Sequence, residues 1–311
     1  MINKPKILVI AGPTAVGKTK YAIEMARRFD GEVVNCDSMQ IYKYMDIGSA
    51  KPTAEELSLA VHHLVDFVDP REDFSVAEYQ KLAKEAIRDI ISRGKLPVIS
   101  GGTGLYLNSL LYEMDFSNAP RDTAYRDRLW KIAEENGSSH LHKMLMEKDP
   151  EIAVTIHENN TKKIIRALER LNESGSIRAF TEVNKANEYY DPILVGLSRD
   201  RAELYDRINA RVDILMEKGL IDEVKKLMDM GLTFDSISMK GIGYKEIISY
   251  LEGQVDISEA TDNIKKNSRH YAKRQLTWFR RYDKMFWLNI SDYESDNDAL
   301  EALTKWLQIR L

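Results

Sequence analysis

Eight consecutive residues, Gly12-Pro13-Thr14-Ala15-Val16-Gly17-Lys18-Thr19, fit the pattern G-x-x-x-x-G-K-[ST]. In that pattern backbone N–H groups wrap phosphate oxygens at a helix N-terminus, the lysine contacts the phosphates and the hydroxyl residue ligates Mg²⁺. Gly12 to Thr19 are therefore expected to hold a diphosphate, with Lys18 on its oxygens and Thr19 on Mg²⁺. The pattern specifies a diphosphate; it does not specify ATP. A nucleoside triphosphatase carries an acid at the end of a neighbouring apolar strand to organise metal and water. Here the apolar run Leu96 to Ser100 ends in Gly101-Gly102-Thr103-Gly104. The nearest imitation, His63-Leu64-Val65-Asp66, reads as a loop leading into Asp69-Pro70, and Asn184-Lys185-Ala186-Asn187 lacks the final acid of a guanine-specific loop. Both absences weaken an energy-coupling role.

A second chemical candidate is Asp37, which follows a second apolar run at the edge where parallel sheets place their ligands, so its carboxylate faces the phosphate loop. It could be a general base, although a lone Asp in such a place is more often a turn acid or helix cap. The single cysteine, Cys36, excludes an internal disulfide and a Cys-rich zinc site, and reads as a small buried packing residue.

Elements that could position these residues are visible in the hydrophobic pattern. Lys6 to Ala11 reads as a short buried strand, followed by the phosphate loop and a helical spacing of Ala22, Ile23, Ala26 and Phe29. Glu32 to Asn35 reads as a second strand, Ser75 and Glu78 as a capping box opening a helix closed by Gly94, and Leu96 to Ser100 as another buried strand. Strands alternating with helices imply an α/β fold, a P-loop NTPase-like parallel sheet with helices on both faces. From Ser117 to Tyr190 helical spacing takes over, which predicts a helical insertion domain within a core of residues 1–116 and 191–311. Ile193 to Leu197 returns to the sheet, and helices are expected from Arg201 to the C-terminus, interrupted around Lys240 to Tyr244.

At 311 residues and 43% hydrophobic, the chain can build a core domain carrying a smaller second lobe. No apolar stretch reaches membrane-spanning length and the N-terminus lacks a signal-like apolar run, so a soluble cytoplasmic protein is expected. The net charge of −4 is distributed unevenly. From Lys265 to Lys284 eight basic residues face the single acid Asp283, a local +7 that leaves −11 for the rest. Such a patch, interleaved with Tyr271, Trp278, Phe279 and Tyr282, suits nucleic-acid phosphates and stacking; the same aromatics would equally serve as core positions of an amphipathic helix.

Asp37-Ser38-Met39-Gln40-Ile41-Tyr42, followed by Asp46-Ile47-Gly48-Ser49-Ala50-Lys51-Pro52, carries the reading further. With Gly12 to Thr19, His62-His63-Leu64, Asp69-Pro70, Gly101 to Gly104, Lys163 to Glu169, Gly243-Tyr244 and Tyr271 to Trp278, the sequence resembles the bacterial tRNA dimethylallyltransferase family over nearly its full length. The resemblance implies transfer of dimethylallyl from dimethylallyl diphosphate to N6 of the adenine 3′ of the anticodon, with Mg²⁺ as cofactor, the tRNA anticodon stem-loop as partner and no protein partner. It further implies that Thr14 to Thr19 cradle the diphosphate, that Asp37 deprotonates the amine, and that Asp37, Ser38, Met39 and Gln40 sit against tRNA. Thr103 and Arg126 match positions near the target nucleotide, and Lys162, Lys163, Ile164, Ile165 and Arg166 match a tRNA-contacting stretch. Arg207 and Arg211, at i and i+4 on one helix face, are candidates for neutralising the leaving diphosphate or for surface salt bridges. Lys273, Arg274 and Arg281 are the expected phosphate contacts of the basic segment. Eukaryotic relatives add a C-terminal zinc finger that this chain has neither the cysteines nor the length to form.

Three other functions compete. A P-loop kinase for a nucleoside or other small molecule would use the insertion as a lid and consume ATP. A prenyltransferase acting on free adenine nucleotide would need neither the insertion nor the basic helix. A non-catalytic RNA-binding protein would have no use for Asp37 beside the phosphate loop.

Overall fold

The computed structural model describes residues 4–114, 122–174 and 186–311. Ser117, the expected start of the insertion, and Asn184-Lys185 lie outside the described residues. Two compact units are present, Met1–Leu111 with Asn187–Leu311, and Tyr112–Ala186.

The first unit is built on one parallel sheet of β1 (Lys6–Ala11), β2 (Gly31–Asn35), β3 (His62–His63), β4 (Leu96–Gly101), β5 (Asp191–Ser198) and β6 (Phe286–Asn289), in the order β3-β2-β4-β1-β5-β6. β1 lies between two strands, with Ile10 opposite both Ser100 and Val195. A strand enclosed on both edges and both faces has no wet side to show, and Ile7 to Ala11 are accordingly apolar and buried without alternation. The helices between the early strands are α1 (Lys18–Arg28), α2 (Ala54–Leu59), α3 (Val76–Ser92) and α4 (Gly104–Leu111). The second unit is helical, with α5 (Thr123–Asn136), α6 (Ser138–Lys148), α7 (Pro150–Ala153) and α8 (Thr161–Ser174) around Leu129, Leu141, Leu145, Ile164, Ile165 and Leu168. The remaining helices of the first unit are α9 (Arg201–Glu217), α10 (Leu220–Asp229), α11 (Tyr244–Leu251), α12 (Ile257–Phe279) and α13 (Asp296–Gln308).

Leu8, Ile10, Val33 and Val98 pack with residues of α1, α9 and α13 in one cluster, while α3, which contributes nothing to it, packs on β2 and β4. α3 opens with the expected capping box: Ser75 Oγ accepts from Glu78 N–H, and Glu78 accepts from Ser75 N–H at 2.7 Å.

Two expectations are corrected here. The His63 to Asp66 segment is not only a loop, because His62–His63 forms an edge strand parallel to β2. The stretch after Arg201 is not all helical, since Phe286–Asn289 pairs with β5 as the opposite edge strand. A strand of two residues shows no period, and Phe286-Trp287-Leu288 after an amphipathic helix reads as more of the same apolar face. Stacking of Phe286 on Trp306, at 4.1 Å between ring centroids, holds β6 under α13. No described helix is long and apolar enough to cross a membrane.

Candidate active site

The phosphate loop runs from the end of β1 to the start of α1. Gly17 caps α1 at a φ of 111°, a left-handed conformation that glycine adopts without steric cost, and no acid in the first turn offsets the positive helix end. Ala15 is also left-handed, at a φ of 62°, which costs a non-glycine residue about 1–2 kcal/mol. The strain is held from outside. Arg207 Nε donates to the Ala15 carbonyl at 3.0 Å and Arg199 Nε to the Val16 carbonyl at 3.3 Å. Because a trans peptide points its N–H opposite to its C=O, these two contacts turn the amides of Val16 and Gly17 away from the guanidiniums. Arg199 is itself buried and fixed by Glu203 at 2.5 Å and Asp296 at 2.6 Å. Arg207, a candidate for the leaving diphosphate or for a surface salt bridge, is exposed and holds the loop by its Ala15 carbonyl.

Lys18 and Arg211 are the cations that share surroundings with Asp37. Lys18 Nζ donates to Pro13 O at 2.8 Å. Burial pushes its ammonium down to about 8, against the pull of Asp37 and with a further push from Arg211. Burial likewise lowers Arg211, and Asp37 opposes it. Neither cation forms an ion pair among the described residues. A desolvated cation without a carboxylate partner is a receptor for an anion.

Asp37 stands two residues past β2. Its Oδ1 accepts from Met39 N–H at 2.9 Å, closing a local turn, and its own N–H donates to Asn35 Oδ1 at 3.2 Å. Oδ2 accepts no hydrogen bond among the described residues and lies 3.8 Å from where a Cβ on Gly102 would stand. Next to it Cys36 is buried, and burial pushes its thiol up to about 12, so it is inert packing as expected.

The loop from Gly101 to Gly104 packs directly on the Asp37 segment. A Cβ at Gly101 would fall 2.0 Å from Cys36 O, so only glycine permits the approach. Thr103 N–H donates to Cys36 O at 3.1 Å, and Thr103 Oγ1 accepts from Ser38 N–H at 3.0 Å. Tyr271 of α12 stands beside Thr103 and Gln275, and burial raises its phenol. Of the other residues expected at this edge, Met39 packs on Gly241, and Gln40 Nε2 donates to Ser49 O and Ala50 O at 3.4 and 3.0 Å.

Two residues to which the sequence reading gives no role shape the site. Gln275 is buried on α12; its Oε1 accepts from Thr14 N–H at 2.8 Å and its Nε2 donates to Gly102 O at 2.9 Å. Glu223 of α10 is buried and accepts from the N–H groups of Asp46, Ile47 and Gly48 at 2.8, 2.7 and 2.9 Å, and from Tyr244 O–H at 2.9 Å. It anchors the loop that Gln40 also holds.

Thr19 lines a cavity of about 20 Å³ with Asn35, Gln40 and Ser100, all neutral oxygen-bearing side chains, together with His62, Val65 and Pro52. That is room for about one water. Among the described residues no group of three His, Cys, Asp or Glu could hold a metal. A site of this kind fits a hard cation that keeps water and substrate oxygens, as Mg²⁺ does, and not a metal caged by protein.

The outer face of α12 and the turn after it line a groove of about 490 Å³ with His270, Lys273, Arg274, Thr277, Trp278 and Arg281. Arg274 lies over the Tyr271 ring at 5.6 Å and Arg281 over Trp278 at 5.1 Å. The aromatics divide: Phe279 and Tyr282 are core, while Tyr271 and Trp278 are partly exposed. Trp278 lies against Gly104, where a Cβ would fall 2.3 Å from its ring.

In the second unit Arg126 Nε pairs with Glu169 at 2.9 Å. Lys162, Lys163 and Arg166 are exposed, whereas Ile164 and Ile165 are core residues. Within the stretch expected to contact tRNA, the side chains of Ile164 and Ile165 therefore face the helical core and not solvent. Helical period turns these two inward and the three cations outward.

The family model described as IPP transferase matches residues 40–282. The chain belongs to the IPP transferase family. It is a prenyl-transferring enzyme. Curated relatives include the tRNA dimethylallyltransferase of Alkaliphilus oremlandii, 50% identical with 97% of each chain covered, and that of Bacillus cytotoxicus, 49% identical with 99% of this chain and 98% of the relative covered. Among solved structures, the tRNA isopentenylpyrophosphate transferase of Bacillus halodurans is 44% identical, with a TM-score of 0.73 and coverage of 98% of this chain and 96% of that one. A eukaryotic dimethylallyltransferase acting on tRNA is 28% identical, with a TM-score of 0.82 and coverage of 98% of this chain and 80% of that one.

Proposed function

We propose that this IPP transferase moves a dimethylallyl group from dimethylallyl diphosphate to N6 of the adenine 3′-adjacent to the anticodon of tRNA, in the cytoplasm. The names of the full-length relatives support the reaction class and substrate. The observation that carries the mechanism is the free Oδ2 of Asp37 in common surroundings with two cations that lack carboxylate partners, Lys18 and Arg211. A base beside unpaired cations suits a reaction that expels an anion and releases a proton.

In the proposed step the C1–O bond of the donor breaks, the C1–N6 bond forms, Asp37 takes the amine proton, and the electron pair of the broken bond leaves with the diphosphate. Gly12, Pro13, Thr14, Ala15, Val16 and Gly17 present the loop backbone to the diphosphate, and Lys18 with Arg211 balances its developing charge. Thr19 would hold Mg²⁺, which when bound withdraws charge from the leaving oxygens. Thr103 and Ser38 brace the Asp37 turn. An adenine stacked in an anticodon loop is out of reach, so it must flip out at a cost of a few kcal/mol. Lys273 and Arg274 on α12 with Arg281 just after it, and Lys162, Lys163, Arg166 and Arg126 in the second unit, are the proposed holds on the anticodon stem-loop.

Purified protein given Mg²⁺, unmodified tRNA and dimethylallyl diphosphate should attach one dimethylallyl group per tRNA and release one diphosphate, read by nucleoside mass spectrometry. ATP hydrolysis without prenylated product would move the chain to the kinase class. Replacing Arg274 and Arg281 with Ala should weaken tRNA binding and flatten its salt dependence by roughly 0.7–0.9 in the log–log slope per lost phosphate contact, with donor affinity unchanged. An unaltered slope would take α12 out of the tRNA interface.

A further inference from the structure

α12 presents different chemistry on its two sides. Its outer side carries the exposed cations Lys273 and Arg274, with Arg281 in the turn that follows; its inner side carries Tyr271 and Gln275, one turn apart, against the loops that bear the reacting groups. Gln275 reaches both loops at once. Its carbonyl oxygen takes the N–H of Thr14 in the phosphate loop, and its amide nitrogen gives a hydrogen to Gly102 O, one residue before Thr103. A primary amide is suited to this double task, because it offers an acceptor and a donor on one rigid plane. The fit is close: a Cβ on Gly102 would stand 2.2 Å from Gln275 Nε2, with Asp37 Oδ2 the next neighbour beyond Gln275 at 3.8 Å.

We propose that Gln275 is a positioning residue that sets the gap between the diphosphate and the attacking amine, by tying the phosphate loop to the loop that backs Asp37. This rests on the transfer reaction proposed above. The argument is one of distance. The donor is held by one loop and the base is braced by another; the β1–β4 ladder joins them as far as Ala11 and Gly101, and beyond it, among the described residues, Gln275 is the side chain that hydrogen-bonds both. A misplacement of about 1 Å between reacting groups can cost on the order of 100-fold in rate without loss of binding.

The test uses the full-length protein with Gln275→Ala, Gly102→Ala and the double replacement. Single-turnover transfer is measured at saturating tRNA and dimethylallyl diphosphate, beside separate dissociation constants for each. Gln275→Ala should slow the saturated step by about 10- to 100-fold and leave both dissociation constants within about threefold. A merely structural role would move thermal stability and affinities and spare the rate of the filled complex. Gly102→Ala should also be slow, because its new methyl pushes the Gln275 amide aside. In the double variant that methyl has nothing to displace, so its rate should match Gln275→Ala alone and not the product of the two losses. A wild-type rate for Gln275→Ala, or multiplied losses in the double variant, would overturn the proposal. Should Gln275→Ala fail to fold, Gly102→Ala still decides: a wild-type rate in that variant overturns the proposal too. Failure of the wild-type protein itself to prenylate tRNA would instead sink the transfer reaction.

Discussion

Asp37→Asn should slow single-turnover dimethylallyl transfer by about 10²- to 10⁴-fold, the range of a lost general base, while tRNA and diphosphate bind nearly as before. The turn at this position depends on Oδ1 accepting from Met39 N–H, and Asn retains that oxygen. A structural role would therefore tolerate the change at a cost of a few tenths of a kcal/mol. What Asn cannot do is accept a proton at the Oδ2 position, which no described residue occupies. Thr19→Ala gives the contrast: loss of the proposed Mg²⁺ ligand should raise the metal concentration needed for half-maximal rate as well as lowering the rate. Asp37→Asn should leave that concentration unchanged. Transfer at the wild-type rate by Asp37→Asn, with both substrates saturating, would mean that another group takes the proton.

The parts of this site that were legible in the sequence are those in which function is local. A phosphate loop needs its residues in one run between a strand and a helix, so Gly12 to Thr19 and the flanking β1 and α1 could be read directly. Asp37 was legible because the end of β2 is where a parallel sheet delivers a side chain to its ligand edge. What escaped reading depends on distant partners. Gln275 meets Thr14 across 261 residues, and Glu223 meets the Asp46 to Gly48 amides across 175 to 177. On its own helix each is one polar residue among many, and nothing in helical spacing marks which polar residue will be buried. Arg207 and Arg211 illustrate the same limit. The i, i+4 spacing placed both on one face of α9, yet one guanidinium ends on the Ala15 carbonyl of the phosphate loop and the other near Asp37. The edge strands failed for a different reason: two or four residues are too few to display a period, and their structure is imposed by the neighbouring strand.

The anchoring by Glu223 shows how such distant contacts bear on the reaction. Three successive amides on one buried carboxylate fix a loop that contains the left-handed Ala50, and Gln40 donates into the same loop. The Asp37 to Gln40 segment is thereby fastened at both ends, by Thr103 through Ser38 and by the 46–50 loop through Gln40. A base held in this way loses little entropy on reaching the transition state.

Lys18→Met should lower the saturated transfer rate by about 10²- to 10³-fold, the usual loss for one donor aimed at developing negative charge. It should also remove a pH dependence that the wild-type protein shows in donor binding. In the ligand-free chain burial holds the Lys18 ammonium down to about 8, well under its ordinary value of 10.5. A bound diphosphate favours the charged amine and so raises this pKa. Below pH 8 the lysine is protonated before the donor arrives, and donor affinity should not vary with pH through this group. Above pH 8 the free site holds a neutral amine that must take up a proton as the donor binds, so affinity should fall by up to about tenfold per pH unit. The same depression makes stability of the ligand-free chain rise with pH between 8 and 10.5, because there the unfolded chain binds more protons than the folded one. Arg211 stays charged throughout this range, so it cannot produce the break. Titration of donor binding by calorimetry from pH 6.5 to about 9.5, in two buffers of different ionisation enthalpy, reads both the affinity and the proton uptake. A break near pH 8 that persists in Lys18→Met, or wild-type binding that takes up no proton above it, would remove Lys18 from the diphosphate site.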